Sequence, residues 1–207
     1  MPGLTSIAAY PLPTKAEVPT STAQWTPDPG RSVLLVHDMQ RYFLAPFPAP
    51  VLDPLVRHCV QLRKRCNDLE VPVMYTAQPG GMTQQDRGLL KDFWGAGMRV
   101  DPADRQIIDQ LAPSSTDTVL TKWRYSAFFR SELLTLMRDR NRDQLIICGV
   151  YGHVGILSTA LDAFANDIQP FLVADAIGDF SADYHRLTLD YAATRCSVVT
   201  TTDLVFQ

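Results

Sequence analysis

The sequence predicts an α/β fold: a three-layer α/β/α arrangement around a parallel, six-stranded sheet, with an extended proline-rich N-terminal arm. Three observations carry that expectation. Short apolar runs rich in Val, Ile and Leu recur along the chain, as strands buried on both faces require. Amphipathic stretches with apolar residues at helical spacing separate them. Strands alternating with helices make βαβ units, whose right-handed crossovers build a parallel sheet covered on both sides.

The elements follow in chain order. Residues 1–30 carry six prolines, which exclude a helix or central strand, so this segment is expected to lie over the body or a neighbouring subunit, anchored by Tyr10 and Trp25. Ser32-Val-Leu-Leu-Val-His-Asp38 reads as the first strand, ending in a carboxylate. Residues 45–50 read as a rigid proline loop, and Asp53-Pro54 as the cap and first residue of a helix. Val71–Ala77 is the second strand, and Gln78-Pro-Gly-Gly81 turns the chain out of it. A short helix and loop over 82–100 are expected across the same sheet edge. Asp101-Pro102 starts a further helix that buries Ile107, Ile108 and Leu111. Thr118–Lys122 is the third strand, Ser131 caps the next helix, and Gln144–Val150 is the fourth strand. A helix over 154–166, a strand over 170–175, a helix opened by Ser181 and a strand over 197–200 complete the chain.

Composition narrows the class of function. The 207 residues are 46% hydrophobic, enough for one core, and we expect one domain spanning 1–207 with 1–30 as its arm. A net charge of −3 gives no basis for a nucleic-acid or anionic-membrane partner. No apolar run reaches the ~20 residues of a membrane span, and no signal-peptide pattern opens the chain. The expectation is a soluble, cytoplasmic protein. Four cysteines and four histidines are scattered without ligand spacing, so neither a metal nor a cofactor is expected. The glycines around 149–155 lack the spacing of a dinucleotide site.

Polar groups collect at the strand ends, where ligands bind in open α/β sheets. Asp38, Gln78 and Lys122 each follow a strand, and Tyr151 with Gly155 follows the fourth. An aspartate and a lysine converging on a pocket suit nucleophile activation or acid–base work on an anion. They equally suit a structural ion pair, and position alone leaves that choice open.

Longer motifs settle the direction. Leu34-Leu-Val-His-Asp-Met-Gln-Arg-Tyr-Phe43, Tyr75-Thr-Ala-Gln-Pro79, Leu89-Leu-Lys-Asp-Phe-Trp-Gly95, Thr121-Lys-Trp-Arg-Tyr-Ser-Ala-Phe-Phe129 and Leu145-Ile-Ile-Cys-Gly-Val-Tyr-Gly-His-Val-Gly155 resemble the isochorismatase family. Val173-Ala-Asp-Ala-Ile-Gly-Asp-Phe180 extends the likeness, which runs nearly end to end and is strongest to the stand-alone branch serving phenazine biosynthesis. Cysteine hydrolases of the family place a nucleophilic cysteine where this chain has Gly155. Cys148 sits inside a strand as inert packing, so the resemblance implies acid catalysis rather than a thioester route.

The implied reaction is hydrolysis of the enolpyruvyl vinyl ether of 2-amino-2-deoxyisochorismate to trans-2,3-dihydro-3-hydroxyanthranilate and pyruvate. Isochorismate is the alternative substrate, and a non-catalytic binding protein is a further reading that intact Asp38 and Lys122 argue against. Matching motifs makes Asp38 the proton donor and puts Lys122 beside it on a substrate carboxylate. Gln78, Arg87 and Tyr151 become polar contacts, although Arg87 also suits an exposed helix face. Trp94, Tyr42 and Phe43 would wall the pocket, with core packing an equal role for Phe43. Gly155 would leave space and offer its N–H to an anion. Gly152 replaces an alanine of close relatives, which would loosen the turn at Val150–Tyr151. The resemblance also implies a homodimer.

Overall fold

A computed structural model describes residues 4–207. Six strands form one sheet: β1 (Ser32–His37), β2 (Val73–Ala77), β3 (Thr118–Thr121), β4 (Gln144–Val150), β5 (Gln169–Gly178) and β6 (Val198–Thr200). Their order is β3-β2-β1-β4-β5-β6, and every neighbouring pair is parallel. β1 and β4 lie at the centre, and every residue of both is buried. Their apolar runs are continuous because each faces helices on both sides.

Alternation divides the core in two. Leu34, Val36, Ile146 and Cys148 point to one face, against Leu55, Cys59 and Leu62 of α2 (Ala49–Asp68). Val33, Leu35, Leu145 and Ile147 point to the other, against α6 (Leu133–Asp139), α7 (Leu157–Ala165) and α8 (Ala182–Arg195). Each fully buried Leu or Val contributes roughly 1.5–3 kcal/mol.

Helix α2 begins earlier than the sequence suggests. Pro48 is its N-cap and Pro50 lies in its first turn, where a missing N–H costs nothing; Pro54, expected at the start, lies inside. A short helix α1 (Arg41–Leu44) precedes it within the segment read as leading to a loop. Between β2 and β3 lie α3 (Gln84–Arg87), α4 (Leu90–Trp94) and α5 (Pro102–Arg105). Asp101 caps α5 as expected, accepting from the Ala103 N–H at 2.9 Å. That helix stops at Arg105 because the following segment pairs with the chain leaving β1: Arg41 N–H donates to Gln106 O and Ile108 N–H to Met39 O. Ser131 bonds the Leu133 N–H at 3.2 Å at the start of α6.

Strand β5 runs to Gly178, three residues past the expected end. The helix expected from 154 opens instead as a π-helical turn, Gly152–Ile156, before α7. Over 4–31 the only regular element is a 3₁₀ turn, Lys15–Glu17. Tyr10 is buried there and donates from its hydroxyl to Asp179 O, while Trp25 is half-buried against the α2-side core. Among the described residues no helix is long and apolar enough to cross a membrane.

Candidate active site

Strand order reverses between β1 and β4, and in such sheets the crevice at that point takes ligands. Asp38 leaves β1 there and Tyr151 leaves β4. A cleft of about 530 Å³ opens between them, and all nine expected residues line it: Asp38, Tyr42, Phe43, Gln78, Arg87, Trp94, Lys122, Tyr151 and Gly155.

The charged centre is buried. Asp38 has φ of 52°, a left-handed conformation that aspartate tolerates better than most residues. Thr76 fixes it twice, accepting from the Asp38 N–H at 3.0 Å and donating to Asp38 Oδ1 at 2.6 Å. Lys122 Nζ donates to Asp38 Oδ2 at 2.7 Å, and no other protein acceptor takes a bond from it among the described residues. An ammonium has three donors, so two remain for a ligand. Lys122 lies just past β3, two strands from β1, and its N–H to Ala77 O at 2.9 Å continues the ladder.

Arg87 is a second buried cation. Its Nε donates to Gly95 O at 3.0 Å, Nη1 lies 3.5 Å from Gln78 Oε1, and no carboxylate pairs with it among the described residues. Burial pushes its pKa below the ordinary guanidinium value, the mark of a cation short of an anion. The exposed-face alternative for Arg87 therefore does not hold. Gln78 is held by its backbone, which exchanges two bonds with the Gln40 side chain at 2.8 and 2.9 Å.

Aromatic rings make the walls. Phe180 stacks on Tyr151 at 4.2 Å and on Trp94 at 5.8 Å between ring centroids. Trp94 Nε1 donates to the Tyr125 hydroxyl at 2.8 Å across the mouth. Phe43 is also part of the core cluster beneath, so both roles set out for it apply.

Four expectations need correction. The Tyr151 hydroxyl is no free polar contact: it donates to Phe43 O at 2.5 Å, so the residue offers the cleft its ring. The Gly155 N–H donates to Tyr151 O at 3.1 Å within the π turn and is not available to an anion. Nor does Gly155 leave space: a Cβ there would lie 2.4 Å from His37 Cε1. Gly152 likewise does not loosen its turn, since the Asp179 carboxylate fills the room, accepting from the His153 N–H at 2.7 Å. The Val150–Tyr151 peptide is cis.

Sequence reasoning missed Thr76, Gln40, Tyr125 and Phe180. Thr76, Gln40 and Tyr125 stand within the quoted motifs beside the residues they hold; Phe180 ends its motif and comes to the cleft through β5. Among the described residues no group of His, Cys, Asp and Glu could hold a metal ion.

Residues 32–203 match the family described as the isochorismatase domain. The chain belongs to the isochorismatase family. It is 58% identical to phenazine biosynthesis protein PhzD1 of Pseudomonas aeruginosa over 207 residues, covering all of both chains. It is 49% identical to the isochorismatase of Bacillus subtilis over 201 residues, 96% of this chain and 64% of that one. In solved structures the fold recurs in a cysteine hydrolase of Pseudomonas syringae, with a TM-score of 0.81, 27% identity and coverage of 89% of this chain and 94% of that one. The family expected from motifs is thus the family found.

Proposed function

We propose that this cleft hydrolyses the enolpyruvyl vinyl ether of 2-amino-2-deoxyisochorismate, giving trans-2,3-dihydro-3-hydroxyanthranilate and pyruvate. The observation that carries the proposal is the charge inventory: two buried cations, Lys122 and Arg87, share an aromatic-walled cleft with one carboxylate, Asp38. With Asp38 protonated, two positive charges face a substrate with two carboxylates. Full-length likeness to a phenazine biosynthesis protein supports the amino substrate.

Arg87 and Gln78 take one substrate carboxylate, and Lys122 turns its two free donors to the other. The arriving anion competes with Asp38 for the Lys122 ammonium, which bonds Asp38 Oδ2 at 2.7 Å in its absence. Asp38 then gives its proton to the terminal CH₂ carbon of the enolpyruvyl group, leaving an oxocarbenium ion. Water adds to that cation and returns one proton to the Asp38 carboxylate, and the neutral hemiketal collapses to pyruvate and the ring alcohol. Trp94, Tyr42, Phe43 and Tyr151 enclose the ring, and Gly155 offers no thiol or hydroxyl as a nucleophile.

Isochorismate is the second reading, favoured by 49% identity to an isochorismatase. Pyruvate release from both substrates tests the proposal. A pocket that reads the shared carboxylates turns over both with a preference within ~100-fold, whereas one built to bond the ring substituent discriminates far more. Inactivity on both overturns the assignment.

The proposal extends to the whole protein: one hydrolase domain over 1–207, acting as a homodimer in the cytoplasm. Four free, buried cysteines suit a reducing compartment. Exposed Leu161, Phe164, Leu187 and Tyr191 on α7 and α8 supply apolar surface for pairing. A monomer mass by light scattering would remove the dimer.

A further inference from the structure

His37 is fully buried behind the cleft, does not line it, and takes no part in the reaction above. Nδ1 bonds Val150 O at 2.7 Å, and since a carbonyl only accepts, Nδ1 carries the proton. Burial pushes the ring's pKa down to about 4, so it is neutral near pH 7. Its far edge faces Gly155: a Cβ there would lie 2.4 Å from Cε1, 3.0 Å from Nε2 and 3.3 Å from Tyr125 O. The ring has nowhere to swing. Val150 O and, 3.7 Å from Nδ1, Asp38 Oδ2 flank one edge of the ring, and at the other edge Thr159 Oγ1, 3.5 Å from Nε2, is itself bonded to Gly155 O at 2.7 Å.

We propose that His37 is a specificity-determining residue, whose ring occupies the space that any side chain at position 155 must enter. Gly155 shares the cleft with Asp38 and Lys122, an acid–base pair able to activate a hydroxyl or thiol placed beside it. By excluding a Cβ there, His37 denies the pocket a nucleophile and commits it to proton transfer. The inference rests on the reading of Asp38 as the acid.

Two substitutions isolate the contact. Gly155→Ala adds only the Cβ. His37→Asn removes Cε1 and Nε2 but keeps an N–H donor near the place of Nδ1. Gly155→Ala alone should lower Tm by ~3–10 °C, the scale of overpacking in a chain of this size. It should also lower kcat for pyruvate release by ~10-fold or more as the ring is driven toward Asp38. The His37→Asn/Gly155→Ala double variant should recover most of both losses. Additive losses in the double variant, or wild-type Tm in Gly155→Ala, would overturn the proposal.

A thiol reads the same space directly. In His37→Asn/Gly155→Cys the introduced thiol should react with iodoacetamide in the folded protein, with a rate midpoint below the ~8.5 of a free thiol because Lys122 is near. In Gly155→Cys alone it should react only in denaturant; the four native cysteines are buried and serve as the silent background. Equal reactivity in both proteins would also overturn the proposal. Melting and alkylation need no substrate, so a wrong substrate assignment and a wrong role for His37 fail separately.

Discussion

Asp38 sits at φ of 52°, and that single residue converts the end of a strand into a carboxylate aimed across the cleft. Asparagine shares its shape and its tolerance of the left-handed region but has no carboxyl proton to give to carbon. Asp38→Asn should therefore fold and bind substrate while losing ~10²–10⁴-fold in turnover, the usual worth of a positioned acid. Single-turnover pyruvate release on a preparation of known melting temperature checks this; more than a tenth of the wild-type rate would remove Asp38 as the acid. Thr76→Val keeps the volume but strips Asp38 of one partner at Oδ1 and one at its N–H. Leaving those buried groups unpaired should cost ~1–3 kcal/mol in urea unfolding, with turnover reduced as the carboxyl loses its fixed direction. At this scale the sequence was readable where chemistry follows a strand: Asp38, Gln78 and Lys122 are the residues that leave the sheet. It was not readable where a residue contributes only through its backbone or its neighbours. Nothing in the letter Tyr151 says that its hydroxyl turns to Phe43 O, and nothing in Gly155 says that a histidine 118 residues away fills its missing side chain.

Strands β1 and β4 must approach closely for their exits to share one cleft. Gly149 makes that possible: it has φ of 111°, and a Cβ there would lie 2.1 Å from His37 O. Backbone on one side and a forbidden φ on the other leave no relaxation. Gly149→Ala should cost more than ~3 kcal/mol or abolish soluble expression, as judged by urea midpoint and yield. The segment carrying α3 and α4 is tied down differently, by Trp94 Nε1 on the Tyr125 hydroxyl and by Arg124 Nη1 on Asp86 O at 2.7 Å. Trp94→Phe keeps a ring against Phe180 and deletes the first tie. One hydrogen bond contributes ~0.5–1.5 kcal/mol, so KM should rise ~2–10-fold with kcat nearly unchanged; a selective fall in kcat would instead put Trp94 in the chemistry. Elements were legible where they are buried on both faces: β4 has the limits its apolar run suggests. Helix ends were less legible because local signals competed with tertiary pairing. Asp101-Pro102 is a genuine cap, yet α5 ends after four residues because the chain beyond it bridges to the segment after β1.

The molecule gathers its site from four strand exits. Strand order decides which exits meet, and that order is the part of the fold no local pattern encodes. Lys122 and Asp38 lie on strands separated by β2, roughly 10 Å across the sheet, and only a long side chain closes that span. The same architecture buries two histidines as neutral rings: His37 beneath the cleft, and His185 on α8 beneath Tyr10. Burial pushes each pKa down to about 4, against ~6.5 in an unfolded chain. The unfolded state therefore binds more protons below pH ~6.5, so stability contributed by each ring is present at neutral pH and is lost as pH falls from there toward 4. Full loss amounts to about 3 kcal/mol per ring. Between pH 6 and 5 ordinary carboxylates are still largely ionised, so the histidines dominate the slope in that window. Urea unfolding there should give a slope approaching two protons, about 2.5 kcal/mol per pH unit. His185→Gln removes one titrating group without touching the cleft, and should leave a slope close to one proton whatever its effect on absolute stability. A slope unchanged from wild type in that variant would mean that His185 is already protonated in the folded protein.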